Sequence, residues 1–146
     1  MDHEVRPILW DHWTDPEKKF EAREKADDII DILLDERANI IAKSIGTLAA
    51  SYMIEKMPER IDKIVFCGIP LNDLEEEKKQ DIRNALKGIS SEKIICFQNE
   101  DDPHGSFETA RKFVSEINSE IKMISKPRED HEYPYYTEFQ SFLKNF

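Results

Sequence analysis

At 146 residues, 39% of them hydrophobic, the chain is long enough for one core and gives no reason for a second, so residues 1–146 are read as a single domain. A formal net charge of -10 argues against nucleic-acid and anionic-membrane partners, whose phosphates need clustered Lys and Arg. No run approaches the roughly 18 apolar residues of a membrane helix, and Met1-Asp2-His3-Glu4 has neither the basic nor the apolar part of a secretion signal, so a cytoplasmic protein is expected.

Hydrophobic periodicity predicts alternating strands and helices. Val5 to Trp10 is a short apolar run broken by Pro7, which suits an edge strand. Thr14 and Asp15 offer caps, Pro16 suits a first turn, and Ala22, Ala26, Ile29, Ile30 and Leu33 recur at helical spacing, predicting a helix up to Arg37. A strand through Ile40 and Ile41 follows, then a helix from Ser44 to about Met57, stopped by Pro58, whose Ala49 and Ala50 permit close packing on a sheet. Ile61 to Cys67 reads as a buried strand, and Leu74 to Leu86 as an exposed helix ended at Gly88. Lys93 to Gln98 is the next strand, and Ser106 caps a helix with Phe107, Ala110, Phe113, Val114 and Ile117 on one face. Ile121 to Ser125 is the last strand, and Tyr133, Tyr136, Phe139, Leu143 and Phe146 mark a final amphipathic helix. This alternation predicts an α/β fold, a mostly parallel sheet in a three-layer α/β/α arrangement. Cys67 and Cys96 lie in strand-like runs without CxxC spacing and read as buried free thiols.

The chemistry is concentrated at the ends of the strands. Ser44 ends an apolar run between two small residues, Ala42 and Gly46, and a helix starts at once. A serine on such a sharp strand-to-helix turn has its hydroxyl pushed out at the carboxyl end of the sheet, with small residues where the turn presses on its neighbours. Acids follow the Lys93 to Gln98 strand, in Asn99-Glu100-Asp101-Asp102-Pro103-His104-Gly105, and His131 follows the last strand. Serine, acid and histidine thus leave three strands at their carboxyl ends, in the order a nucleophile elbow requires. Either Asp101 or Asp102 can serve as the acid. Position after the last strand ranks His131 above His104.

With that order of elements the chain resembles the carboxyl-terminal two-thirds of an α/β-hydrolase, and it is similar to small serine hydrolases of the retinoblastoma-binding-protein-9 kind. The likeness covers roughly residues 5–146 and includes the Asp101-Asp102-Pro103 turn after a strand. It implies Ser44 as nucleophile, Asp102 as acid, His131 as base and the Ile45 N–H as an oxyanion donor; from the residues themselves, Lys43, Asp101 and His104 are further candidates for substrate contact or an alternate acid. The reaction implied is cleavage of a small ester, thioester or amide through an acyl-enzyme, with no metal and no organic cofactor. The family's first strand carries a Gly-rich loop that gives a second oxyanion donor, and no glycine precedes Gly46 here, so the domain is read as minimal or amino-terminally truncated. A missing first strand would leave an edge that Trp10 and Trp13 either cover or offer to a second copy or another partner. Lys43, beside the serine, either attracts an anionic substrate or points to solvent, and the short segment after Gly68-Ile69-Pro70 predicts an open site suited to small acyl groups.

Each residue also has a plainer reading. A serine at a helix start is often only an N-cap, Asp101 and Asp102 are ordinary turn formers before Pro103, and Tyr133, Tyr135 and Tyr136 form a helical aromatic face more readily than a pocket wall. An inactive hydrolase-like protein would be an acidic interaction module. A divalent-metal set of Asp101, Asp102, His104 and His131 has poor spacing, and Lys43-Ser44 lacks the glycines of a phosphate loop.

Overall fold

The computed structural model describes residues 21–144, so Val5 to Trp10, Trp13, the Thr14, Asp15 and Pro16 cap signals and Phe146 lie outside the described residues. In chain order the elements are α1 (Ala22–Leu33), β1 (Ala38–Lys43), α2 (Gly46–Lys56), β2 (Ile61–Cys67), α3 (Glu76–Gly88), β3 (Ile94–Asn99), α4 (Phe107–Ile117), β4 (Lys122–Lys126) and α5 (Tyr136–Lys144). The four strands form one parallel sheet in the order β1-β2-β3-β4. β3 is buried along its whole length and β2 along most of it, which explains their near-continuous apolar runs.

Alternation along the strands divides the core in two. Ile64, Phe66, Ile94 and Cys96 pack with residues of α1 to α4, among them Ala26, Tyr52, Leu86 and Val114. Val65, Cys67, Ile95 and Phe97 face the other way, against Tyr133 and the α5 residues Phe139 and Leu143. On the first face Tyr52 staples three helices: its hydroxyl donates to Asp81 Oδ2 at 2.6 Å, and the Arg23 guanidinium sits 4.0 Å above its ring.

The helices differ from expectation at their ends: α2 begins at Gly46 and not at Ser44, α3 runs Glu76–Gly88 and so starts after Leu74 and includes Gly88, and α1 and α5 differ as well. α1 stops at Leu33 rather than Arg37, because Leu34 takes a positive φ of 56° and the Arg37 guanidinium is engaged by Asp62 and, at 2.9 Å, by the Glu59 carbonyl at the foot of β2. α5 begins at Tyr136 and leaves Tyr133 outside, since a residue before proline, here Tyr133 before Pro134, is driven out of the helical region. Ser106 caps α4 through its hydroxyl, which accepts the Thr109 N–H at 3.2 Å. Among the described residues no helix is long and apolar enough to cross a membrane.

Candidate active site

The strand register sets the site. Lys43, Cys67, Phe97 and Ile124 lie in one row across the sheet, so the next residues of β1 to β3, namely Ser44, Gly68 and Gln98, come together at the carboxyl edge. Ser44 holds a φ of 57°, a left-handed conformation that costs a non-glycine residue about 1–2 kcal/mol. Its N–H donates to the Cys67 carbonyl at 2.8 Å, and its own carbonyl accepts from the Thr47 N–H and hydroxyl. The N-cap position of α2 is held by Ile45, already helical at φ -59°, and no side chain caps it. Ser44 is therefore a strained turn residue between β1 and α2, not a cap. The Ile45 N–H has no backbone acceptor among the described residues, because it opens the helix.

The histidine comes from the connection between β4 and α5. Asn99, fully buried at the end of β3, holds that connection on both sides of His131: its Nδ2 donates to the carbonyls of Asp130 at 3.0 Å and Glu132 at 2.8 Å, and its Oδ1 accepts from the Tyr135 hydroxyl at 2.6 Å. Arg128 grips Asp130 through two nitrogens, and that guanidinium holds the Asp130 carboxyl below the usual range. His131 Nδ1 lies 2.7 Å from Asp102 Oδ2. Among the described residues its buried Nε2 has no hydrogen-bond partner, Ser44 Oγ included. Asp102 has a fully buried side chain; Oδ1 accepts the His104 N–H at 2.8 Å, and Oδ2 also accepts the Tyr133 hydroxyl at 2.5 Å. Asp101, by contrast, is exposed and gives only its N–H, to the Arg128 carbonyl.

Two ties bring the serine and histidine ends together. A Cβ built on Gly68 would lie 2.9 Å from His131 Cε1 and 2.7 Å from Tyr133 Cε1, so the imidazole rests on the residue after Cys67, whose carbonyl holds the Ser44 N–H. Gly68 has a φ of 64° as well, so the position requires glycine twice over. Independently, Lys43 Nζ lies 3.6 Å from Glu132 Oε2, joining the neighbour of Ser44 to the neighbour of His131. His104 is beside them, its ring centroid 4.4 Å from that of His131 and its Nδ1 2.5 Å from Asp73 Oδ2.

Sequence reasoning missed Gln98, Asn99 and the hydroxyl of Tyr133. Buried Gln98 accepts the Ile69 N–H at 3.0 Å and donates to the Ile69 and Gly105 carbonyls, locking the turns after β2 and β3 together. The available signal was two amides closing an otherwise apolar strand, where only bonding to loops satisfies them. Both cysteines are buried, and burial pushes the Cys67 thiol up to about 12. Among the described residues no group of three or more His, Cys, Asp or Glu could hold a metal ion. No protein-family model matches this chain, and no curated protein matches it.

Proposed function

We propose that the protein is a serine hydrolase of α/β-hydrolase type that cleaves a small ester, thioester or amide. The observation that carries this reading is the combination of Ser44 at a positive φ with an imidazole whose Nδ1 is on a buried carboxylate and whose Nε2 has no partner among the described residues. Ser44 Oγ attacks the carbonyl carbon and passes its proton to His131 Nε2. Asp102 holds Nδ1 and stabilises the imidazolium. The Ile45 N–H donates to the oxyanion, His131 returns the proton to the leaving group, and water then releases the acyl group from Ser44. The expected second donor, a Gly-rich loop ahead of β1, is not seen among the described residues, and a site working with Ile45 alone would lose about 10²-fold to 10³-fold in rate. The acyl group is small, since the turn from Gly68 to Leu71 is short and pinned by Gln98.

Labelling by a fluorophosphonate probe, with Ser44→Ala and His131→Ala as controls, tests the reading. Labelling lost in both variants supports it; a folded protein that never labels refutes it. The second reading is a weak or inactive hydrolase-like interaction module. Ile41 in β1, the end strand of the described sheet, and Leu34 after α1, 52% and 74% exposed, favour that reading, with a second copy or another protein as the partner.

A further inference from the structure

We infer that Tyr133 is a positioning residue for the Asp102 and His131 pair; its effect on rate rests on the hydrolase reading, while its effect on His131 does not. A hydroxyl has one proton to give. The Asn99 N–H donates to Tyr133 Oη at 3.0 Å, so the phenolic proton is directed at Asp102 Oδ2, 2.5 Å away. The His104 N–H occupies Oδ1. Asp102 is thereby held from both oxygens, and the place left on Oδ2 faces His131 Nδ1. A carboxylate only accepts, so Nδ1 carries the ring proton and Nε2 keeps its lone pair. The Tyr133 ring adds a wall: it stands at 90° to the imidazole, with centroids 5.9 Å apart, and both rings rest on Gly68.

Tyr133→Phe keeps the wall and removes the hydroxyl. Without that donor the Asp102 charge is shared less, so it attracts the imidazolium more strongly and the carboxylate is free to turn. NMR of ¹⁵N-histidine-labelled protein should show the low-field Nδ1 proton signal of His131 shifting or broadening. Fluorophosphonate labelling of Ser44 should slow about 10-fold in the covalent step, with the reversible binding constant unchanged, the size expected for losing one hydrogen bond to a charged group. An unchanged Nδ1 signal in Tyr133→Phe overturns the inference. Should that variant not fold, the unsubstituted protein decides: a proton on Nδ1 and a Tyr133 hydroxyl proton protected from exchange support it, whereas a proton on Nε2 in neutral His131 overturns it. A wild-type protein that never labels removes the role of Ser44 and leaves these His131 signals to judge Tyr133.

Discussion

The two faces of the sheet are built differently. The first is covered by four helices whose contacts with the strands are almost wholly apolar. Among the described residues the second carries α5 alone, and its core is largely aromatic: Phe97 meets Phe139 edge-on at 5.0 Å and stacks on Tyr135 at 5.9 Å, and Tyr133 stands at the end of this row. Tyr133 and Tyr135 bury their rings in this core and give their hydroxyls to Asp102 and Asn99. The first face thus buries the larger apolar cluster, and the second converts apolar packing into the placement of a buried polar network. Outside the cover of α5, β1 shows Ile41 to solvent on that same face.

This division can be broken by substitution. Phe66→Ala, in the fully buried first face, should cost about 3–5 kcal/mol in urea unfolding, and should lose labelling only to the extent that it unfolds. Gly68→Ala should cost less, about 1–3 kcal/mol for its positive φ, yet should reduce labelling far more than its stability loss explains, because the added Cβ meets the His131 and Tyr133 rings. A Gly68→Ala protein that labels at the wild-type rate would detach the second face from the site.

The two thiols sharpen the comparison, since Cys96 belongs to the first face and Cys67 to the second. Burial raises both, so neither should react with an aromatic disulfide reagent at pH 8 in the native protein, and both should react in urea. Fast reaction of Cys67 alone would mean that α5 opens independently of the rest. The smallest effect concerns Asp130. Its folded value is lowered by Arg128, so the ionised carboxyl contributes stability that is present above its unfolded value and is lost as pH falls through the folded one. Asp130→Asn should therefore be slightly less stable than wild type at pH 7 and should show a flatter fall in stability below about pH 4, where the two proteins converge.

Much of the element order was legible because it depends on local patterns. β2 agrees with its apolar run residue for residue, and α4 begins after the serine that caps it. The end of α1 was not legible, since no glycine or proline marks Leu34 and the turn depends on Arg37 reaching across to Asp62. The start of α5 was hidden by an aromatic spacing that fits a helix from Tyr133 onward, although Pro134 carries the signal against it. For the site, the three strand ends were readable as places where polar residues follow apolar runs.

By itself, the sequence determined the alternation, the apolar runs of the inner strands, and a serine, an acidic turn and a histidine at three strand ends, because these follow from residue-level preferences for burial, capping and turns. Only the tertiary structure decided that Asp102 and not Asp101 meets His131, that Ser44 is a strained turn and not a cap, and that Tyr133 leaves the helical face to bond a carboxylate. Those outcomes depend on strand register and on partners about thirty residues apart, such as the Asp102 to His131 and Tyr133 bonds at separations of 29 and 31, which no local pattern encodes.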